Sequence, residues 1–293
     1  MRKGKRILHL IDSMLAPVGG SWRDVLIIAL AFMTSSLGAI GGLGGAILLV
    51  PLLSFGDMTI AQAAPLGLVS VIAGSVAAGR TQLQDGAVNH RFAVVTELGA
   101  TSGAIVGVLL AGQFTDRLMS YVLAALAVVA AAGSAIRKGV RWKPDASLGA
   151  ESIGEHHGSL SGVYRLNDAA VPYAPTRMIL GVVTMSVAGL VTGLAGVGGG
   201  FLKTPLSSEL MKLPAKVAAA TSTFTIGITA STALLLMAMD GRVVVSDGAL
   251  VVIGAVAGGT MGSMLQRRMS PPVVRRATAL MLVVVATVLV IRA

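Results

Sequence analysis

Cysteine is absent from the 293 residues, which excludes disulfides, thiolate metal sites and cysteine nucleophiles. Charge is scarce too. Asp, Glu, Lys and Arg make up 12% of the chain, about half the share of a soluble domain. No G-x-x-x-x-G-K-[ST] run is present, so ATP is not expected to drive the protein directly. A membrane-embedded enzyme would need paired carboxylates or histidine clusters at helical spacing, and Glu97 is the one acid near such a segment.

Apolar residues fill the space this leaves: they are 54% of the chain, with a mean hydropathy of +0.82. Runs of about 20 apolar residues can cross a hydrocarbon core of roughly 30 Å as helices. Eight such segments lie near 25–53, 63–80, 92–112, 118–137, 178–206, 217–238, 244–266 and 273–291. The chain is therefore expected to be an all-α polytopic membrane protein in the plasma (inner) membrane.

The formal charge of +10 points to membrane orientation rather than nucleic acid, because Lys and Arg sit mostly in loops and at segment ends. A cytoplasmic N-terminus puts Arg2, Lys3, Lys5, Arg6, Arg23, Arg80, Arg91, the basic residues from Arg137 to Arg177, Arg242 and Arg292 inside. Arg117, Lys203, Lys212, Lys216, Arg267, Arg268, Arg275 and Arg276 fall outside. Fifteen against eight favours cytoplasmic N- and C-termini, although the stretch from Arg267 to Arg276 argues the other way. The first 24 residues start basic, but His9 and Asp12 break their apolar part. Ile7, Leu8, Ile11, Met14 and Leu15 share a helical face instead, so a cytoplasmic surface helix is expected rather than a cleaved signal.

An internal repeat organises the rest. "GGLGGAILLVPLL" from Gly41 aligns with "AGVGGGFLKTPLS" from Ala195 at a shift of 154. "DGAV" at Asp85 matches "DGRV" at Asp240, and Gly99, Gly103 and Gly107 recur as Gly254, Gly258 and Gly262, both at a shift of 155. The division is 1–24 as N-terminal segment, 25–137 as first four-helix repeat, 138–176 as central loop and 177–293 as second four-helix repeat. With four crossings each, both repeats start from the same side and their pseudo-two-fold axis lies along the membrane normal. Re-entrant glycine segments would invert that relation, which the charge placement disfavours. The central loop lacks periodicity and reads as a mobile connection, with His156 and His157 as solvated residues.

Segments 25–53 and 178–206 are each longer than one perpendicular helix needs. Their glycines (Gly42, Gly44 and Gly45; Gly196, Gly198, Gly199 and Gly200) and the prolines Pro51 and Pro205 suggest broken first helices. Freed backbone groups are tolerated only where they line a protein-buried or watery cavity, and the N-terminus of a resumed half-helix suits an anion. Close helix packing explains the same glycines without any ligand. Lys203 stands where the first half has Leu49, so it departs from the repeat; a functional charge and a side chain snorkelling to the interface are both open. Seven hydroxyls crowd 221–232, of which Thr221 and Ser222 are the preferred substrate-path pair. Glu97 fits an interfacial position or a proton-coupling role. Arg80 reads as a cytoplasmic anchor, and Asp85–Gly86 and Asp240–Gly241 as turns.

"GVGGGFLKTP", "AKVAAATS" and "DGRV", with their first-half counterparts "GGLGGAILLVP", "AQAA" and "DGAV", resemble the sulfite exporter TauE/SafE family of membrane permeases over nearly the whole chain. The resemblance implies movement of small sulfur-containing anions, sulfite or organosulfonates, across the plasma membrane. It also implies roles for Gly42–Pro51, Gly196–Pro205 and Thr221–Ser222. The first half departs from the pattern at "APLG" (Ala64 to Gly67), where the second has Ala-Thr-Ser. The expected function is a secondary transporter exporting a small anion, without cofactor, metal or nucleic acid; its partners are the anion, the bilayer and, if it assembles, further copies in a homo-oligomer. The alternatives are a transporter of another small solute or a non-transporting scaffold.

Overall fold

The computed structural model describes residues 22–54, 58–84, 86–115, 153–166 and 169–292, with scattered positions between 117 and 132. The first 21 residues, and so the expected surface helix, lie outside them. Helix α1 (Trp22–Gly41) is followed by α2 (Ala46–Ser54), α3 (Ile60–Gln84) and α4 (His90–Leu110). Strands β1 (Gly154–Glu155), β2 (Gly162–Leu166) and β3 (Ala169–Tyr173) come next, then α5 (Met178–Ala195), α6 (Gly200–Pro205), α7 (Ala215–Met239), α8 (Val245–Arg268) and α9 (Pro271–Arg292). Among the described residues, six helices (α1, α3, α4, α5, α7 and α8) are long and apolar enough to cross a membrane. Their outward faces carry Val94, Leu98 and Leu109 on α4, or Ile253 and Met264 on α8, where a soluble bundle would place charge.

Small residues set the pairing. Gly99, Gly103 and Gly107 of α4 press on Val182, Ser186 and Leu190 of α5, where a Cβ would meet backbone carbonyls. Gly254, Gly258 and Gly262 of α8 sit the same way on Ile28, Phe32 and Ser36 of α1. Each glycine row thus packs against a helix of the opposite half of the chain. The contacts advance in step, so both pairs run parallel, and Arg23 meets Asp247 at 3.1 Å where α1 and α8 begin.

Directions follow from further contacts. Gly74 abuts Gly259, and Gln82 donates to Gln266 at 3.0 Å near both C-terminal ends, so α3 runs with α8. The Asn89 amide donates to Thr221 at 3.0 Å, and Thr229 donates to Glu97 two turns on, so α7 runs with α4. Helices α3 and α7 run antiparallel: Gly227 meets Ser75, and the earlier Phe224 meets the later Gly79. The same-side arrangement expected from four crossings per repeat is therefore corrected: equivalent helices of the two halves point in opposite directions.

The cause is the glycine segment. Gly45 packs on Ser35, where an added Cβ would lie 2.8 Å from the Ser35 amide nitrogen. A straight helix would separate those residues by about 15 Å, so the chain doubles back. Gly199 likewise lies against Ala188 and Thr192. Gly42 and Gly44 have φ of +66° and +75°, and Gly196 and Gly198 have +67° and +66°, a left-handed pair that side-chain-bearing residues adopt only under strain. Neither 25–53 nor 178–206 is a single broken crossing; each is a helix, a glycine turn and a returning half-helix. The prolines lie beyond the break, Pro51 inside α2 and Pro205 at the end of α6.

The central loop is corrected as well. Its described residues form an antiparallel sheet ordered β1–β2–β3, with Val163 opposite Gly154 and Pro172. Tyr164, Val171 and Tyr173 form a small core with Phe92, Met185 and Met211 at the end of the bundle where α4, α5 and α7 begin. Asn89 caps α4 and ties the sheet down, donating to Leu160 O at 2.9 Å and Tyr173 Oη at 3.1 Å. His156 pairs with Ser161 at 3.1 Å.

Candidate functional site

Helix α6 is six residues long and wholly buried, because Gly200 lets its backbone rest on the carbonyls of Gly42 and Leu43. One turn on, Lys203 is 3% exposed. Its ammonium donates to Glu97 Oε2 at 2.6 Å and Thr229 Oγ1 at 2.7 Å. The Thr229 hydroxyl donates to the other Glu97 oxygen, completing a ring of three groups from α6, α4 and α7. Glu97 is 6% exposed and Thr229 fully buried. Glu97 lies about two turns into α4 and Thr229 about four turns into α7, so the cluster is interior. The snorkelling Lys203 and the interfacial Glu97 are therefore corrected: each is the other's counter-ion. A charge buried here without its partner would be costly.

The turns adjoin this cluster. Thr204, next to Lys203, donates to Gly42 O at 2.7 Å, and Gly42 itself rests on Ala219 of α7. Gly196 rests on Ala64 of α3, while Gly44 and Gly198 both face Val71. Because α3 and α7 are antiparallel, the tips at Gly42 and Gly196 approach from opposite ends of the bundle and their limbs cross in its middle. Thr221 accepts from Asn89, and Ser222 Oγ is buried without a hydrogen-bond partner among the described residues.

At the repeat shift, Lys203, Thr229 and Glu97 correspond to Leu49, Gly74 and Val252. Around Gly74 the first half has a cavity of about 10 Å³ lined by Ser35, Ser70, Ser75 and Thr223, room for one water. The ionic cluster, built from Glu97 of the first half and Lys203 and Thr229 of the second, therefore has no charged counterpart at the repeat-equivalent positions.

A polar cavity of about 620 Å³ opens at the sheet end, lined by Gln82, Tyr164, Arg165, Lys216, Gln266 and Arg267. Gln266 donates to Ala39 O and Ile40 O at 3.2 and 2.8 Å, satisfying the last carbonyls of α1 before the turn. Arg165, Lys216 and Arg267 thus share one end of the molecule, although the charge count had set Arg165 inside and the other two outside. That assignment does not stand. A groove of about 740 Å³ between α9 and the 117–132 segment is lined almost wholly by Ala, Val and Leu and suits lipid rather than an anion.

Sequence reasoning singled out Lys203 and Glu97 separately but not their contact, and it left Thr229 among seven hydroxyls. Two opposite charges in apolar segments were the available signal, since intramembrane charges tend to pair.

No solved structure matches the chain. The chain is similar to the "Probable membrane transporter protein YunE" of Bacillus subtilis (strain 168), with 24% identity over 254 residues, covering 84% of this chain and 89% of that protein. The family model described as "Sulfite exporter TauE/SafE" matches residues 27–289. With six membrane-length helices and a match across nearly its whole length, this multi-pass membrane protein belongs to the sulfite exporter TauE/SafE family.

Proposed function

We propose that the protein is a secondary transporter that exports a small anion, sulfite or an organosulfonate, across the plasma membrane. The observation that carries this reading is the buried Lys203 ammonium, held between Glu97 and Thr229 one turn from the Gly42 tip. A cation at that depth is expensive to maintain for packing alone. The anion path runs from the basic cavity at the sheet end past Thr221 and Ser222, between the turns at Gly42, Gly44 and Gly45 and at Gly196, Gly198, Gly199 and Gly200, to Lys203. Pro51 and Pro205 stiffen the returning half-helices.

The eight apolar segments are read as two repeats, 25–137 and 177–293, inverted about an axis in the membrane plane. Matched left-handed glycine pairs and antiparallel α3 and α7 support this. Inverted repeats give alternating access a structural basis: opening around one glycine tip and opening around the other are equivalent movements at opposite faces. Sidedness changes with the inversion. Arg91, Arg165, Arg177, Lys212, Lys216, Arg267 and Arg268 cluster at the sheet end, against Arg23, Arg117 and Arg242 at the other. The positive-inside rule then sets the sheet in the cytoplasm and both termini outside.

Purified protein in liposomes loaded with labelled sulfite should give saturable efflux above protein-free vesicles. No protein-dependent flux for sulfite, sulfonates or other small anions would overturn the proposal.

A further inference from the structure

We infer that transport is coupled to protons with electroneutral one-to-one stoichiometry: a proton on Glu97 and a monoanion on Lys203 are taken up together and released together. This rests on the transport reading above and specifies its coupling ion and substrate charge; export then runs down the outward gradient of the anion and carries a proton out with it.

The inference follows from counting charge inside a sealed cluster. In the structure Lys203 and Glu97 neutralise each other at 2.6 Å, 3% and 6% exposed. The ionisable groups that could alter this balance are few. Helix α5, packed along α4, has none between Met178 and Ala195. Helix α7 has Lys216 alone, at its N-terminal end, and α6 has Lys203 alone. On α4 itself the others are His90 and Arg91 at its first turn, where His90 pairs with Glu155.

Two of the three ammonium N–H bonds are committed to Glu97 and Thr229, so an anion reaches Lys203 by taking the third or by displacing the carboxylate. If it arrives alone, the cluster holds two negative charges against one positive. If a proton arrives alone, Lys203 is left without a counter-ion. Each half-loaded state buries one uncompensated charge in a low-dielectric interior, where such a charge is strongly disfavoured. When both arrive, the proton sits on a Glu97 oxygen, the ammonium keeps its own protons and pairs with the anion, and the net charge is again zero. Thr229 suits both states, because its hydroxyl can donate to the carboxylate or to the bound anion. The same count selects monoanions: a sulfonate or hydrogen sulfite balances Lys203, whereas a dianion leaves one charge over.

Methanesulfonate is a suitable probe, since it stays a monoanion across the working pH range and any pH effect belongs to the protein. In proteoliposomes, an imposed pH gradient should drive labelled methanesulfonate uphill into the alkaline compartment, following the proton flow, by the same factor whether or not valinomycin and potassium clamp the membrane potential. Glu97→Gln should abolish this accumulation, and any methanesulfonate exchange that remains should no longer vary with pH. As a readout independent of variant folding, adding methanesulfonate to weakly buffered wild-type protein in detergent should take up one proton per anion bound. Exchange without proton-driven accumulation, accumulation that follows membrane potential, or binding without proton uptake would overturn the coupling while leaving the transport reading intact. Absence of all flux would overturn both.

Discussion

Breaking the Lys203–Glu97 pair from either side should destabilise the protein, and breaking it from both sides should largely restore it. The two groups meet at 2.6 Å with almost no solvent contact, so Lys203→Met leaves a buried carboxylate and Glu97→Gln a buried ammonium. Removing one partner of a buried pair typically costs about 3–5 kcal/mol, and an unpaired charge at the centre of a membrane helix about 2.5–3.5 kcal/mol. We therefore expect about 3 kcal/mol for each single variant. The double variant loses both charges together and should lie within about 1 kcal/mol of wild type, which corresponds to a coupling on the order of 5 kcal/mol. Reversible unfolding in mixed micelles with increasing SDS measures all four proteins. Single variants within about 1 kcal/mol of wild type, or a double variant whose loss is the sum of the singles, would refute the buried-pair reasoning.

Gly103→Leu should prevent α4 from seating on α5, because even a Cβ there collides with the Ser186 carbonyl; the expected result is aggregation on size-exclusion chromatography. Gly241→Ala, whose Cβ meets nothing within 4 Å but whose φ is +72°, should cost only about 1 kcal/mol in the same unfolding assay. Because the chain has no cysteine, single Gly158→Cys and Gly241→Cys variants report the two faces, and an impermeant maleimide on intact cells should label the second and spare the first. Burial pushes the Glu155 carboxyl up, but hydrogen bonds from the His90 amide and ring and the Arg91 amide outweigh it and hold the group below its ordinary 4.5. A lowered carboxyl pKa stabilises docking above about 4.5 and loses that contribution as pH falls through the folded value. Amide exchange across 153–173, corrected for intrinsic rate, should therefore speed up in that acidic range in wild type, and Glu155→Gln should remove the dependence.

The class of fold was legible because hydropathy and segment length are properties of composition, and the lipid-facing Val, Leu and Ile confirm that reading. Direction was not legible. A run of 29 apolar residues has the same hydropathy whether it goes straight on or turns back at Gly42–Gly45, and only the left-handed pairs at Gly42/Gly44 and Gly196/Gly198 distinguish the two. The charge count failed for the same reason, since one unrecognised reversal moves every later loop to the other face; Lys216 and Arg267 beside Arg165 make this visible. The sheet was hidden in a polar loop whose alternation, Val171 then Tyr173, is only two residues deep. Lys203 and Glu97 stood out as charges, but 106 residues separate them, and nothing local says that α6 brings one to the other.

The exchange of partners between α1 and α8, and between α5 and α4, bears on how the protein is made. Ser35 donates to Ala255, 220 residues later, so α1 leaves the ribosome long before the helix whose glycine-lined groove receives it. Neither half closes its own interior, and the first must wait in lipid, incompletely packed, until the last third is synthesised. Maturation should therefore be slow relative to insertion and concerted at its end. Two separately expressed halves, divided between α4 and α5, have a structural reason to find each other: each lacks the groove that the other supplies.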